Sequence, residues 1–319
     1  MVRPVDFRQI EAFLKVAELA SFSRAAEEMH VSQPSISVYI ASLERELNAV
    51  LINRSTKVLS TTLAGERFLD KAKEMLALRR RTVEMLKDLS GDVSGDVRIA
   101  ASSVPALYIL PQVLAGFHKL HPRISFTVRQ ADTAGVVREI AAHKADIGFA
   151  GSVLGDRKCD FHEFADEKLV FIAPNDGSYS GSKKYALEEL LYASNFISRE
   201  VGSGTRMQYE KYFTENGILL DRIKTCASLD STHGIINAVM SGLGISIVSF
   251  LAARRKIEQK ELMPIRLKNP LPARKFYAVL NKNIVHSHLV ELLMEYITAR
   301  GAGLWVVQRP VKAGQRGPG

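Results

Sequence analysis

The sequence predicts an α/β protein with two differently built parts, a winged helix-turn-helix at the N-terminus and two α/β lobes after it. Apolar residues recur at helical spacing over residues 7–47, a long helical pattern with two apolar stripes follows, and strands and helices alternate from residue 97. The chain has 319 residues, 46 % hydrophobic and 24 % charged, which is enough apolar material for more than one core.

The composition excludes several protein classes. Charged residues interrupt every short apolar group of the first segment, "MVRPVDFRQIEAFLKVAE", so it resembles neither a signal peptide nor a membrane span. We therefore expect a cytoplasmic protein without membrane contact. Cys159 and Cys226 have no partner His or Cys at metal-ligand spacing, which argues against a disulfide framework or a zinc site. Both are predicted to be small buried hydrophobes.

Three short helices are predicted before residue 48. Apolar residues recur three and four positions apart from Phe7 to Ala20, and Ser21 and Ser23 can cap a second helix. Ser32 can cap a third helix, with Pro34 in its first turn, where the missing N–H removes no helical hydrogen bond. The tight turn between the second and third helices makes the segment a helix-turn-helix.

A small wing and a long helix are predicted next. Two β-branched runs around Arg54 and Lys57 in "NAVLINRSTKVLSTTLAGERF" indicate a two-stranded wing. A helical pattern then runs from Thr62 to about Leu89 with two apolar stripes, and two stripes on one exposed helix need partners. Dimerisation through this helix covers both stripes most simply, and packing of the helix on its own domain is the alternative.

The α/β part begins after the turn-rich segment "SGDVSGD", residues 90–96. Strands such as "VRIAA", "ISFTVRQ" and "ADIGFAG" alternate with helices up to the closing helix "SHLVELLMEYITAR". This rhythm predicts a parallel, doubly wound sheet, and its length suits two similar lobes with a cleft between them. The Gly-rich, basic tail after Arg300 is predicted to be disordered.

The start of the third helix carries the residues that fit DNA recognition. The second helix of a helix-turn-helix enters the major groove, with its first residues against the base edges. Gln33, Ser35 and Ser37 can hydrogen-bond to bases or phosphates. Pro34 and Val38 can pack on a thymine methyl group. The alternative is an ordinary capped helix whose polar start is merely solvated.

Charge alone does not establish a nucleic-acid partner. The net charge is +9, yet seven Lys and Arg residues balance seven Asp and Glu residues within the first 65 positions. Placement matters more than bulk charge, and Arg54 and Lys57 at the predicted wing tip can reach the minor groove or the backbone. Each is otherwise an ordinary surface charge.

Hydroxyl residues follow several strands of the α/β part. Ser102 and Ser103 precede the helix that begins near Pro105, and "DT" at 132–133 and "GSGT" at 202–205 have the same position. Their hydroxyls and the N–H groups of the helices can hold an anion if the lobes face each other, although N-capping alone also explains them. Without a G-x-S-x-G elbow, a nucleotide fingerprint or histidines at metal spacing, the sequence predicts no enzyme, cofactor or metal site.

In this order of parts the chain resembles the LysR-type transcriptional regulators over residues 6 to about 300. The segment that carries the resemblance is "FRQIEAFLKVAELASFSRAAEEMHVSQPSISVYIASLERELNAVLINRSTKVLSTTLAG", and "REVGSGTR" and "AVMSGLGISIVS" also look like family segments. The resemblance implies a DNA-binding domain over residues 1–61, a dimerising linker helix over 62–90, and an effector domain shaped like periplasmic binding proteins over 91–300, before the tail at 301–319.

The resemblance also implies partners and site residues. It places Gln33, Pro34, Ser35 and Ser37 in the major groove of double-stranded promoter or operator DNA and Arg54 in the minor groove. Homodimers with antiparallel linker helices, or homotetramers, are expected, and RNA polymerase stays open as a partner. Family effector contacts fall at Ser102, Ser103, Thr133, Gly151, Ser203 and Thr205.

The sequence is therefore interpreted as a ligand-responsive DNA-binding regulator that senses a small, anionic metabolite between its lobes. A weaker resemblance of "ASSVPALYILP" and "REVGSGTR" to regulators of sulfur or related assimilation suggests the pathway. One alternative is a solute-binding or enzymatic α/β protein with an incidental helical extension. Another is a structural DNA-binding protein that needs no ligand.

Overall fold

The structure is a computed structural model that describes residues 5–54, 59–88 and 93–299, without the side chains at positions 81, 84, 85, 87 and 88. The chain divides into two compact units, formed mainly by residues up to 92 and by residues from 93 onward. Lys57, residues 90–92 of the boundary segment and the tail at 301–319 lie outside the described residues, so the predictions made for them stay predictions.

Three capped helices build the first unit. They are α1 (Phe7–Leu19), α2 (Phe22–Glu28) and α3 (Gln33–Glu46). The side chains of Asp6, Ser21 and Ser32 accept backbone N–H groups from the first turns, as N-caps do. The predicted helices and the caps at Ser21 and Ser32 are confirmed, whereas Ser23 lies inside α2.

The wing is a short antiparallel pair, β1 (Ile52–Asn53) with β2 (Ser60–Thr61), as predicted. Glu44 of α3 attaches it to the helices, because its Oε1 accepts the N–H groups of Leu51 at 2.8 Å and Ile52 at 3.1 Å. A carboxylate that accepts two backbone N–H groups fixes where the chain leaves α3 and enters the wing.

The long helix α4 (Leu63–Asp88) has two different halves. Its N-terminal half packs on the helix-turn-helix core, where Ala72 is fully buried and the ring of Phe68 lies 5.3 Å from that of Phe13. The alternative of packing on its own domain therefore describes this half. Beyond it, four apolar side chains of the helix are exposed: Met75, Leu78, Val83 and Leu86.

The second unit holds the two predicted lobes. The first lobe contains β3 (Gly95–Ala101), a π-helical turn (Pro105–Ile109), α5 (Leu110–Leu120), β4 (Ile124–Gln130), α6 (Thr133–Ala141) and β5 (Ile147–Ala150). A 16-residue strand, β6 (Cys159–Pro174), then leads to the second lobe.

The second lobe begins after β6. Its elements are β7 (Lys184–Tyr185), α7 (Leu187–Ala193), β8 (Phe196–Arg199), α8 (Gly204–Glu215), β9 (Thr225–Leu229), α9 (Thr232–Met240), β10 (Ser246–Ser249), α10 (Phe250–Glu258) and β11 (Leu262–Leu267). The chain returns through β12 (Ala273–Asn281), and α11 (His288–Ala299) packs on the first lobe.

The sheet is mixed, so the predicted all-parallel arrangement is wrong. Strands β3, β4 and β5 are parallel, as are the pairs β8–β9 and β7–β11. Strand β6, however, runs antiparallel to β12, β10 and β11. The strand β12 pairs with β6 from more than a hundred positions away in the chain, which local alternation of strands and helices does not reveal.

Each lobe has its own apolar core. Phe149 and Phe276 are fully buried in the first lobe, and Phe171 and Phe213 in the second. The prediction of two lobes is confirmed, although α7, α10, β7, β9 and β11 were not predicted.

The two cysteines differ. Cys159 is buried as predicted, and burial raises the pKa of its thiol to about 11. The prediction for Cys226 is wrong, because it lies exposed on β9, a strand whose side chains face largely outward.

Candidate functional site

The first candidate site is the start of α3. Ser32 caps the helix, its Oγ lies 2.8 Å from that of Ser35, and the side-chain amide of Gln33 reaches the Ser37 Oγ at 3.4 Å. The opposite face of α3 is fully buried by Ile36, Ile40 and Leu43. Core packing fixes the helix and leaves its polar start outside the core.

The predicted DNA-contacting side chains are accessible to different extents. Gln33 and Pro34 are exposed, Ser35 and Ser37 are half-buried, and Val38 is 64 % exposed. An exposed valine on an amphipathic helix contributes nothing to the core, which is consistent with contact to an apolar group outside the chain. The structure thus places the five residues together in the first turn and a half of α3.

Arg54 follows β1 and is held against the helices. Its Nη2 donates to Glu44 Oε2 at 3.0 Å, and its guanidinium lies 5.6 Å from the centre of the Phe22 ring. Sequence reasoning missed Glu44, which orients both the wing and Arg54. Spacing gave no signal for it, because the carboxylate sits ten positions before the arginine, among the three charged residues that end α3.

The second candidate site is a cavity between the two lobes of the second unit. All six residues predicted to contact an effector line it: Ser102, Ser103, Thr133, Gly151, Ser203 and Thr205. The first four come from the first lobe, and the last two from the start of α8 in the second lobe. The free volume is about 20 Å³, room for about one water molecule.

Two glycines let α8 approach the first lobe this closely. Gly202 has a φ of +93°, and a Cβ there would overlap the Asp132 carboxylate. A Cβ on Gly204 would lie 2.7 Å from Thr133 Oγ1 and 3.0 Å from Ser152 Oγ. The "GSGT" segment therefore needs glycine on both sides of Ser203 to close the cavity.

Several polar groups at the cavity have no hydrogen-bond partner among the described residues. Thr133 Oγ1 and Ser152 Oγ are buried and unpaired. Ser203 precedes α8 without a side-chain cap hydrogen bond, and Ser203, Gly204 and Thr205 at the start of this 12-residue helix line the cavity. Buried polar atoms without partners cost free energy, which a ligand with oxygen atoms would recover.

Two buried arginines at the cavity were missed by sequence reasoning. Arg199 donates to Glu200 through Nε and Nη2 and to Thr232 Oγ1 through Nη1. Arg274 donates to Glu167 Oε2 through Nε at 2.9 Å and Nη2 at 2.5 Å. In "PARKF" Arg274 resembles any basic loop residue, and only the long pairing of β12 with β6 places it inside the protein.

Glu167 is fully buried beneath Arg274. Desolvation raises the pKa of its carboxyl group, and the Arg274 guanidinium opposes that rise. Phe276 packs against the guanidinium, 5.3 Å from its ring centre. Arg274 is thus held rigidly at the wall of the cavity.

Comparisons with known proteins identify a family for both parts of the chain. The family model "Bacterial regulatory helix-turn-helix protein, lysR family" matches residues 7–66, and the model "LysR substrate binding domain" matches residues 90–302. No helix among the described residues is long and apolar enough to cross a membrane.

Individual relatives are transcriptional regulators. The HTH-type transcriptional regulator CysL of Bacillus subtilis (strain 168) is 30 % identical over 282 residues, 88 % of this chain and 91 % of that protein. The RuBisCO operon transcriptional regulator of Allochromatium vinosum is 29 % identical over 93 % of this chain and 97 % of its own.

Solved structures show the same fold. Full-length CbnR in complex with its target DNA superposes with a TM-score of 0.67 at 22 % identity, over 92 % of this chain and 99 % of that chain. Regulators of this type bind DNA and small-molecule effectors and form oligomers. The chain belongs to the LysR family of ligand-responsive, DNA-binding transcriptional regulators.

Proposed function

We propose that this regulator senses a small anionic metabolite in the interlobe cavity and that binding changes the spacing of its recognition helices on DNA. The observation that carries the proposal is the convergence of six hydroxyl- or glycine-bearing positions from both lobes on one cavity with unpaired polar atoms. A ligand held by both lobes interacts differently with their open and closed arrangements, which is the requirement for a conformational response.

The size of the cavity supports a conformational response. A volume that admits about one water molecule is too small for a metabolite of several heavy atoms. We propose that the α8 loop and the first lobe lie further apart when such a ligand is bound. Binding would then favour a more open arrangement of the lobes than the one described above.

On the DNA side, we propose that Gln33, Ser35 and Ser37 read base edges or phosphates and that Pro34 and Val38 pack on apolar groups of the major groove. Their exposure at the start of a helix whose other face is buried supports this role. Arg54 is proposed for the minor groove. The helix-turn-helix of α2 and α3 presents this surface without any change of fold.

The exposed half of α4 supports self-association. Together with α1 it borders an apolar groove of about 590 Å³ whose lining includes Phe7, Met75, Leu78 and Val83. We propose that the same helix of a second copy covers it, giving a homodimer that can pair into a homotetramer. A regulator of chromosomal promoters works in the cytoplasm, where we place this chain.

The relatives suggest the metabolic setting. CysL and the RuBisCO operon regulator point to assimilation of sulfur or of another inorganic nutrient, which we propose as the pathway. An anionic effector fits such pathways, because their substrates and early products carry sulfate, phosphate or carboxylate groups.

Thermal unfolding of the full chain against sulfate, phosphate and short carboxylates, at matched ionic strength, tests the sensing role. A ligand at about 100 times its Kd adds about 2.7 kcal/mol of stability, or roughly 5 to 10 °C in Tm. Thr133→Val removes a buried hydroxyl of the cavity and should abolish the shift. Thr214→Val, on an exposed turn of α8, is the matched control.

Two results would contradict the sensing role. One is the absence of any ligand-dependent Tm rise across the panel, which favours a ligand-independent DNA-binding protein. The other is a rise that is equal in the wild type and in Thr133→Val, which would move the binding site away from this cavity. Turnover of a bound compound would favour the enzymatic alternative.

A further inference from the structure

We propose that Arg274, held in place by Glu167, is the residue that makes the interlobe cavity selective for an oxyanion group, a carboxylate, sulfate or phosphate, over a neutral polar ligand. The inference rests on the proposed function of the cavity and adds the chemical class that the cavity selects. It assigns Arg274 as the ligand-contacting charge and Glu167 as a positioning residue behind it.

The hydrogen bonds of Arg274 are unevenly distributed. Its inner edge, Nε and Nη2, donates to a single carboxylate oxygen, Glu167 Oε2. Its outer nitrogen, Nη1, is buried and has no hydrogen-bond partner among the described residues. A guanidinium has five N–H donors in a fixed plane, so both hydrogens of Nη1 are unused.

The unused nitrogen lies at the cavity. Arg274 lines it, and a Cβ built on Gly151 would lie 3.5 Å from Nη1. Thr133 also lines the cavity, and its buried hydroxyl has no hydrogen-bond partner among the described residues. An oxyanion in this cavity could accept from the Arg274 guanidinium and from this hydroxyl.

Arg199 provides the internal comparison. It lines the same cavity and is equally buried, but its Nε, Nη1 and Nη2 all have partners. The hydrogen bonds of Arg199 are therefore satisfied within the protein, without a ligand. Of the two arginines, only Arg274 has a nitrogen that lacks any hydrogen-bond partner among the described residues.

The acidic groups at the cavity are engaged as well. Asp132 accepts the Gly135 N–H at 2.6 Å and lies 3.6 Å from Arg138, and Glu200 pairs with Arg199. Their charges are met by cations on their own lobes. The cavity is therefore left with Arg274 as its charged donor to a ligand.

Glycine at position 151 gives the ligand access to that donor. Its missing side chain leaves ordinary van der Waals distance to Arg274 Nη1 and no closer atom. A hydroxyl residue at this position would have given the guanidinium an internal partner. Because position 151 is glycine, the Arg274 guanidinium next to it contacts the ligand in place of a side chain at that position.

Calorimetric titration of the full chain with inorganic phosphate, sulfate and acetate, at ionic strength matched with sodium chloride, tests the assignment. Acetamide serves as the neutral counterpart of acetate. The main variant is the double substitution Arg274→Gln with Glu167→Gln, because removing Arg274 alone would leave the Glu167 charge buried and unpaired. Arg274→Lys is the second variant, which keeps the charge but loses the fork.

The double variant should bind the tightest of these anions about 10- to 100-fold more weakly than the wild type, the factor that a hydrogen bond to a charged group contributes. Arg274→Lys should weaken binding by a smaller factor, and acetamide should bind both variants as it binds the wild type. The matched control, Arg199→Gln with Glu200→Gln, should retain the preference for anions over acetamide.

Failure of this inference is distinguishable from failure of the proposed function. If Thr133→Val loses anion binding while the double variant keeps wild-type affinity, the cavity is the site and the role of Arg274 is wrong. If the wild type binds none of the three anions, or if Thr133→Val binds them unchanged, the anion-sensing cavity itself is wrong and this inference falls with it.

Discussion

Gln33 and Thr133 both stand in the first turn of a helix, yet their surroundings are opposite. Gln33 begins α3 and is exposed, and its side chain reaches only the neighbouring Ser37. Thr133 begins α6 and is 1 % exposed, with its hydroxyl unpaired beside a glycine of another lobe. The proposed DNA-reading surface is built from one continuous segment, whereas the cavity is assembled from distant ones.

This difference separates two ways of binding. The start of α3 offers side chains that cost nothing to leave in water, so the protein is stable without a partner there. The cavity holds buried polar atoms without partners among the described residues, which reduce stability and which the proposed ligand would satisfy. It also holds a buried ion pair, whose charges depend on each other. A site of the first kind tolerates substitution, and a site of the second kind links ligand binding to folding stability.

Glu167→Ala should have the largest effect on the free energy of unfolding. It leaves the Arg274 guanidinium buried without its carboxylate and should destabilise the second unit by about 3–5 kcal/mol. Urea unfolding followed by circular dichroism measures the loss.

An exposed ion pair of the first unit is the matched control. Glu28→Ala removes the partner of Lys15, whose side chain is 35 % exposed, and should cost less than about 1 kcal/mol. Equal losses in the two variants would show that burial does not separate the two regions as described.

Gly204→Ala is expected to have the next largest effect. The new methyl group would meet Thr133 Oγ1 at 2.7 Å and backbone of Gly151 at 3.1 Å, so α8 must move away from the first lobe. Overpacking of this kind costs about 1–3 kcal/mol. Gly155→Ala, where a Cβ meets nothing within 4 Å, is the control. A Gly204→Ala variant with wild-type Tm and anion affinity would show that the cavity is not closed by this loop.

Local sequence signals predicted the first unit almost completely. Polar caps followed by apolar residues three and four apart fix α1 to α3, and β-branched runs fix the wing, because these elements depend on neighbours in the chain. The burial of the first half of α4 was left open. Apolar spacing shows that a face needs a partner without showing which surface covers it.

The sequence predicted the hydroxyl and glycine residues of the cavity but not its charged residues. The positions of hydroxyl residues after strands, together with a family resemblance, predicted six residues of the lining: Ser102, Ser103, Thr133, Gly151, Ser203 and Thr205. The sequence did not predict Arg274, Glu167 or Ser152. Arg274 and Glu167 meet because the distant strands β12 and β6 pair antiparallel, and the periodicity of apolar residues does not reveal such a pairing. The same long-range pairing explains why the sheet was predicted to be parallel.

Gln33→Ala should have the smallest effect on stability and a clear one on recognition. The side chain is exposed, so the free energy of unfolding should change by less than about 0.5 kcal/mol. If Gln33 pairs with a base, the variant should lose about 1–3 kcal/mol of discrimination at one position of the operator. Competition binding with single-base operator variants measures this loss.

Arg54→Ala is the control for that measurement, because a backbone or minor-groove contact carries little base information in the major groove. It should weaken binding to all sequences alike and reduce the slope of log affinity against log salt by about 1. Identical base preferences and salt slopes in the wild type and both variants would remove the α3 start and the wing from the DNA interface. If Gln33→Ala lost as much stability as Gly204→Ala, the polar start of α3 would contribute to folding stability, as the polar groups of the cavity do. The contrast between the two regions would then be wrong.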